Sequence, residues 1–150
     1  MIGAPPSYSP RWLINPRYQP IADPANNDAW DEITTWPGYG PTPLLELTSL
    51  ARELNVGGVY YKDEGGRFGL GSFKALGGAY AVLRMLQRRF DQPPSAVELR
   101  SGIHREITQQ ITVTTATDGN HGRSVAWGAQ QFGCRAVIYF PADCSPARAD

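Results

Sequence analysis

The sequence predicts an α/β fold, a parallel sheet with helices on both faces, and three observations point there. Residues 111–115 and 136–140 are β-rich runs, the second uninterrupted and apolar like a strand covered on both sides. Between them, residues 122–132 have helical spacing and end at Gly133, a natural helix stop. Upstream, apolar residues at 76, 79, 80, 83, 86 and 90 repeat with helical period and end before Pro93 and Pro94. Helix, strand, helix, strand joined by single crossovers is the order of a parallel α/β domain.

Taken in order, residues 1–43 hold nine of the thirteen prolines and three of the four tryptophans, Trp12, Trp30 and Trp36. Proline fixes φ and removes a donor, so an extended arm clamped by its tryptophans is expected, not long helices or central strands. From Pro43, leucines at 47, 50 and 54 predict a helix ending before Gly57 and Gly58, and Val59–Lys62 predicts a short strand. Residues 73–90 follow as a helix with Ser72 as its natural cap, and Ser95 with Glu98 forms a capping box for a shorter helix that Gly102 weakens. After Phe140, residues 141–150 predict a loop and the first turn of a helix, which does not form alone. The expected division is an arm over 1–43, a lead-in segment over 44–73 belonging with a large domain outside the chain, and a truncated small α/β domain over 74–150.

Composition narrows the function. The 150 residues are 41% hydrophobic and 19% charged, within the globular range. Fourteen basic and fourteen acidic side chains cancel, which removes the electrostatic driver for nucleic-acid or anionic-membrane binding. No apolar run approaches the roughly 20 residues of a bilayer span, and the first residues lack a signal peptide's order. Two cysteines, Cys134 and Cys144, make no disulfide scaffold, so a soluble protein of the reducing cytoplasm is expected.

Eight of the sixteen glycines lie between Gly57 and Gly78, most densely in Gly65-Gly66-Arg67-Phe68-Gly69-Leu70-Gly71-Ser72-Phe73-Lys74. This run fits neither a P-loop, whose lysine directly follows the last glycine, nor the dinucleotide fingerprint. Lys74 is more informative. The chain has two lysines against twelve arginines, and this one sits in the first turn of a predicted helix. The field at a helix start and an apolar neighbour both favour a neutral amine, the form that Schiff-base chemistry requires. An exposed lysine at a frayed helix start is the plain alternative.

The second constellation is Thr115-Ala116-Thr117-Asp118-Gly119-Asn120-His121-Gly122, between a buried-type strand and a helix, where open parallel sheets bind ligands. Helix-start N–H groups suit a carboxylate, Asn120 offers an amide donor and Asp118 a base. Equally, Thr117, Asp118 and Asn120 could simply cap the turn. A hydrolytic triad of Asp118, His121 and Ser124 lacks a nucleophile elbow, and His104, His121, Cys134 and Cys144 lack metal-ligand spacing, so no metal is expected.

The pair of motifs resembles the fold type II pyridoxal-phosphate enzymes, the tryptophan synthase β-subunit superfamily. Gly71-Ser72-Phe73-Lys74 before a helix is similar to its lysine motif, Pro41-Thr42-Pro43-Leu44 and Tyr61-Lys62-Asp63-Glu64 to its lead-in, and Asp118-Gly119-Asn120-His121-Gly122 to its asparagine loop. Thr117, Asp118 and the run Arg123-Ser124-Val125-Ala126-Trp127 most resemble the branch that cleaves ammonia from diaminopropionate, whereas serine and threonine dehydratases carry a serine-type loop. The resemblance implies pyridoxal 5'-phosphate bound covalently on Lys74, Phe73 near its ring and Asn120 hydrogen-bonded to its phenolic oxygen. It also implies backbone from Thr117 through Gly119 to His121 holding the substrate carboxylate, and Asp118 as the base at Cα. The implied reaction is α,β-elimination of 2,3-diaminopropionate to pyruvate and ammonia, by a homodimer at full length. The family's phosphate loop and a second aspartate lie beyond Asp150, so these residues are expected to be an amino-terminal part, inactive alone. A dehydratase-like enzyme and a non-catalytic ligand-binding fragment are the competing expectations.

Overall fold

In a computed structural model of the protein, residues 28–144 are described; most of the arm, and the helical turn expected near Asp150, lie outside them. Helix α1 (Asp28–Ile33) leads to Trp36, which is buried in the core. Trp36 therefore acts as the expected clamp, while Trp30 stays 64% exposed, edge-on to Tyr39.

The expected helix from Pro43 begins as a strand. β1 (Leu44–Glu46) pairs antiparallel with β2 (Tyr60–Lys62), and only then does α2 (Thr48–Glu53) start. Pairing extends past the ladder on both sides, through Leu47 N–H to Val59 O (2.8 Å) and Asp63 N–H to Pro43 O (2.9 Å). Long-range backbone pairing overrides leucine periodicity here, because Leu47, Leu50 and Leu54 remain exposed and only Ala51 of α2 is buried.

A 3₁₀ turn (Arg67–Gly69) and a glycine-rich loop deliver the chain to α3 (Lys74–Gln87). Ser72 does not cap this helix. Phe73 already has helical dihedrals and is the N-cap, so the serine stands one residue too early, and no side chain caps the end. The capping box does form: Ser95 Oγ accepts the Glu98 N–H and the Glu98 carboxylate accepts the Ser95 N–H, opening α4 (Ala96–Ser101). That bond to the Ser95 backbone, then one from its hydroxyl, lowers the Glu98 pKa. Gly102, read as a weakness, is the left-handed C-cap. After α5 (Arg105–Thr108), β3 (Thr112–Ala116), α6 (Asn120–Phe132) and β4 (Arg135–Tyr139) build the predicted crossover, with β3 and β4 parallel in the register Val113 to Ala136 and Thr115 to Ile138. Gly133 (φ 74°) ends α6 in a conformation that a side chain would strain.

The core lies between α3, α6 and one face of the β3–β4 pair: Val82, Leu83, Leu86, Val113, Val125, Ala129 and Phe132, joined by Ala96 and Leu99 of α4. Among the described residues, helices cover that face alone. Val137 and Tyr139 on the other face are 43% and 63% exposed, so no described residue supplies the second covering expected of an uninterrupted apolar strand. No helix of the described residues is long and apolar enough to cross a membrane.

Candidate active site

Two motifs 44 positions apart in the chain meet at one cleft. Lys74 opens α3 and the Asn120 turn opens α6; the cleft between them, about 290 Å³, is lined by Lys74, Asp118, Gly119 and Asn120. An apolar groove of about 510 Å³ also reaches Lys74, walled by Phe73, Leu76 and Met85 of the α3 side and by Val113, Thr115 and His121 opposite. The lysine thus stands where a polar cleft joins an apolar groove. Its ammonium has no hydrogen-bond partner among the described residues, while the other lysine, Lys62, donates to Thr42 O at 2.5 Å.

The loop before Lys74 is held from below. Arg67 is 6% exposed; its Nε donates to Glu64 at 2.8 Å, Nη1 to Gly40 O at 2.7 Å, and Nη2 to Glu64 and Thr42 at 3.0 and 3.1 Å. The Thr42 hydroxyl donates to the same Glu64 carboxylate, and Tyr39 offers its ring face to the guanidinium. Hydrogen bonds from Arg67, then from Thr42, lower the Glu64 pKa to about 2, and Glu64 raises that of Arg67. Next in sequence, Phe68 takes a left-handed backbone (φ 49°) and stacks on Trp127 of α6, centroids 4.9 Å apart, with Trp36 against both. A bulky side chain is costly in that conformation, and the stack holds it there. Gly71 (φ 74°) completes the turn into α3.

The asparagine turn is shaped by Thr117. Its Oγ accepts the N–H groups of Gly119 (3.0 Å) and Gly122 (3.1 Å), and its own N–H donates to Tyr139 O (2.9 Å). A Cβ on Gly122 would stand 2.3 Å from Thr117 Cγ2 and 2.7 Å from Ile138 Cγ2, so only glycine fits. This corrects part of the carboxylate grip expected from the sequence. The N–H groups of Thr117 and Gly119 are spent inside the protein, because the threonine hydroxyl needs one of them to fold the turn. Thr117 accepts the N–H groups of the turn; the side chains of Asp118 and Asn120, exposed on the cleft, make no hydrogen bond among the described residues. Ser124 is buried against α3, out of reach of any triad, and no three His, Cys, Asp or Glu side chains of the described residues group to hold a metal. Burial raises the Cys134 pKa.

An amine without a partner, an apolar wall for a ring and free amide and carboxylate groups opposite are a donor set that fits an aldehyde cofactor with an amino-acid substrate. Residues 35–150 match the pyridoxal-phosphate dependent enzyme family. The chain belongs to that family. Its relatives include diaminopropionate ammonia-lyase of Escherichia coli strain K12, 44% identical over 113 residues (75% of this chain, 28% of the relative), and that of Salmonella typhimurium, 43% identical over 117 residues (76% and 29%). The chain therefore spans less than a third of the length of these curated relatives. In structure it resembles holo diaminopropionate ammonia lyase from E. coli, with a TM-score of 0.71 and 42% identity over 80% of this chain and 30% of that one. It also resembles that enzyme in complex with an aminoacrylate-PLP azomethine reaction intermediate, with a TM-score of 0.67 and 41% identity over 81% and 29%. The fold is thus the fold type II architecture that the two motifs implied, incomplete at this length.

The network of Thr42, Glu64 and Arg67, the stack of Phe68 on Trp127 and the bracing role of Thr117 were not read from the sequence. The one available signal was the company Arg67 keeps: a lone arginine among glycines, three residues after a glutamate.

Proposed function

We propose that this chain supplies the lysine and asparagine-loop half of a pyridoxal-phosphate enzyme that eliminates ammonia from 2,3-diaminopropionate; the released aminoacrylate then takes up water to give pyruvate and a second ammonia. The single observation that carries it is the cleft on which Lys74, Asp118 and Asn120 converge with no internal partner. Support comes from the relatives, which are diaminopropionate ammonia-lyases.

Lys74 would hold the cofactor through Nζ, Phe73 would pack along its ring, and the Asn120 amide would donate to its phenolic oxygen. Bound there, pyridoxal phosphate supplies an electron sink for negative charge at the substrate's Cα. The chain's own residues do the rest. The Asn120 and His121 N–H groups, at the open start of α6, hold the substrate carboxylate, and Thr117 and Gly119 serve that grip by shaping the turn. Asp118, on the cleft beside Lys74, takes the Cα proton. Residues 44–73 belong with the larger domain, residues from 74 onward with the smaller one, and the complete protein works in the cytoplasm as a homodimer on a small amino-acid substrate.

A chimera in which residues 35–150 replace the matching segment of the E. coli enzyme tests this. Pyruvate release from diaminopropionate is the expected result. Asp118→Ser in the chimera should slow it by on the order of 10²–10⁴-fold, the usual contribution of a positioned base, with cofactor retained. Undiminished release by that variant would remove Asp118 from its role, and a chimera that binds cofactor yet releases no pyruvate would refute the activity.

A further inference from the structure

The distance between the lysine and the asparagine turn is set one helical turn away from both. Gly78 lies four residues after Lys74 on α3, and Ser124 four residues after Asn120 on α6, so each shares a helix face with its functional partner. The two meet. Ser124 Oγ lies 1.6 Å from the point where a Cβ on Gly78 would stand, Ser124 Cβ 2.9 Å from it. A turn further on the roles exchange, with Gly128 of α6 against α3: a Cβ there would stand 2.7 Å from Ala79 Cα and 3.1 Å from its Cβ. The helices therefore approach closely at the pair and again one turn of α6 beyond it.

Ser124 is 1% exposed, and its hydroxyl is the one buried side-chain polar atom of the described residues without a hydrogen-bond partner. A buried hydroxyl with no partner costs stability relative to a methyl. Hydrogen bonding does not account for it, but size does: Oγ fills the volume that glycine leaves open on the facing helix.

We infer that Gly78 and Ser124 form a size-matched spacer, a pair of positioning residues that fixes the Lys74 amine against the Asn120 turn. The inference rests on the functional reading above, in which those two groups hold one cofactor. A methyl on Gly78 meets an oxygen at less than half the usual 3.5–4.0 Å of nonbonded contact. The helices must then separate next to the cleft, since Gly128 pins them one turn beyond. A shift on the order of 1 Å in a reacting group is enough to cost roughly 100-fold in a positioned reaction.

The test uses the chain with pyridoxal 5'-phosphate and borohydride, which fixes the aldehyde to whichever amine it has joined. Only two side-chain amines compete, and Lys62 serves as internal reference. Peptide mapping gives labelling of Lys74 relative to Lys62, and thermal melting reports folding of each variant. Gly78→Ala should lower relative labelling of Lys74 by on the order of tenfold or more. Adding Ser124→Gly, which exchanges the two volumes, should restore it to within about threefold, the ordinary context scatter of such effects.

A folded Gly78→Ala variant labelled like the parent overturns the spacer and leaves the functional reading intact. Should that single variant not fold, the exchanged pair decides. Recovery of folding and labelling together supports the spacer; a folded pair that stays unlabelled at Lys74, or a pair that does not fold, overturns it. Absence of Lys74 labelling in the unsubstituted chain overturns the functional reading, and the spacer with it.

Discussion

Thr117 organises the site more than any residue that faces the cleft. One hydroxyl accepts two N–H groups, and its methyl carbon fills the space that makes glycine obligatory at 122. Valine has nearly the same shape and no acceptor. Thr117→Val should therefore cost about 1–3 kcal/mol, the penalty for leaving partly buried donors unmet, whereas Thr117→Ser keeps the acceptor and should cost less. Urea unfolding of the three chains measures this, and equal midpoints would remove Thr117 from its bracing role. The sequence identifies this threonine as part of the turn but assigns its backbone to the ligand. Nothing in a string of residues says which N–H a hydroxyl will capture, because that depends on the φ and ψ of the residues between.

At the scale of elements, the readable features were the local ones. The Ser95–Glu98 capping box, the stop at Gly133, helices α3 and α6 and the parallel strands around α6 all follow from periodicity and end signals. The failures arise from distant partners and, at Ser72, from backbone dihedrals that residue types do not reveal. Leu44–Glu46 became a strand because β2 pairs with it, and Ser72 lost the cap because helical backbone starts at Phe73. The strap of Arg67, Glu64 and Thr42 joins segments more than 20 residues apart and has no local signature. It does make a pH prediction. The Glu64 pKa falls to about 2 in the fold, below the roughly 4.3 of an unfolded glutamate, so the unfolded state binds the proton first. Its stabilisation is complete above that unfolded value and drains away as pH drops toward about 2. Melting temperature measured down this range should fall more steeply in the parent than in Glu64→Gln; parallel curves would mean the strap carries no net stability.

At the scale of the molecule, large apolar side chains stand exposed on both strand pairs among the described residues. Leu44 and Tyr60 of the β1–β2 pair are 64% and 62% exposed, and Tyr139 marks the uncovered side of β3–β4. Patches of this kind mark surfaces made for contact, and the chain spans 28% of the E. coli relative. Lys74 and the Asn120 turn are nonetheless brought to one cleft within the described residues, at the starts of α3 and α6. The account accordingly depends on one amine being the site of attachment. The visible absorption of a covalent adduct, followed on adding pyridoxal 5'-phosphate to the parent, Lys62→Arg and Lys74→Arg chains, addresses that directly. The account predicts the adduct band in the parent and in Lys62→Arg, and none in Lys74→Arg. A band that survives loss of Lys74 and disappears with Lys62 would contradict it.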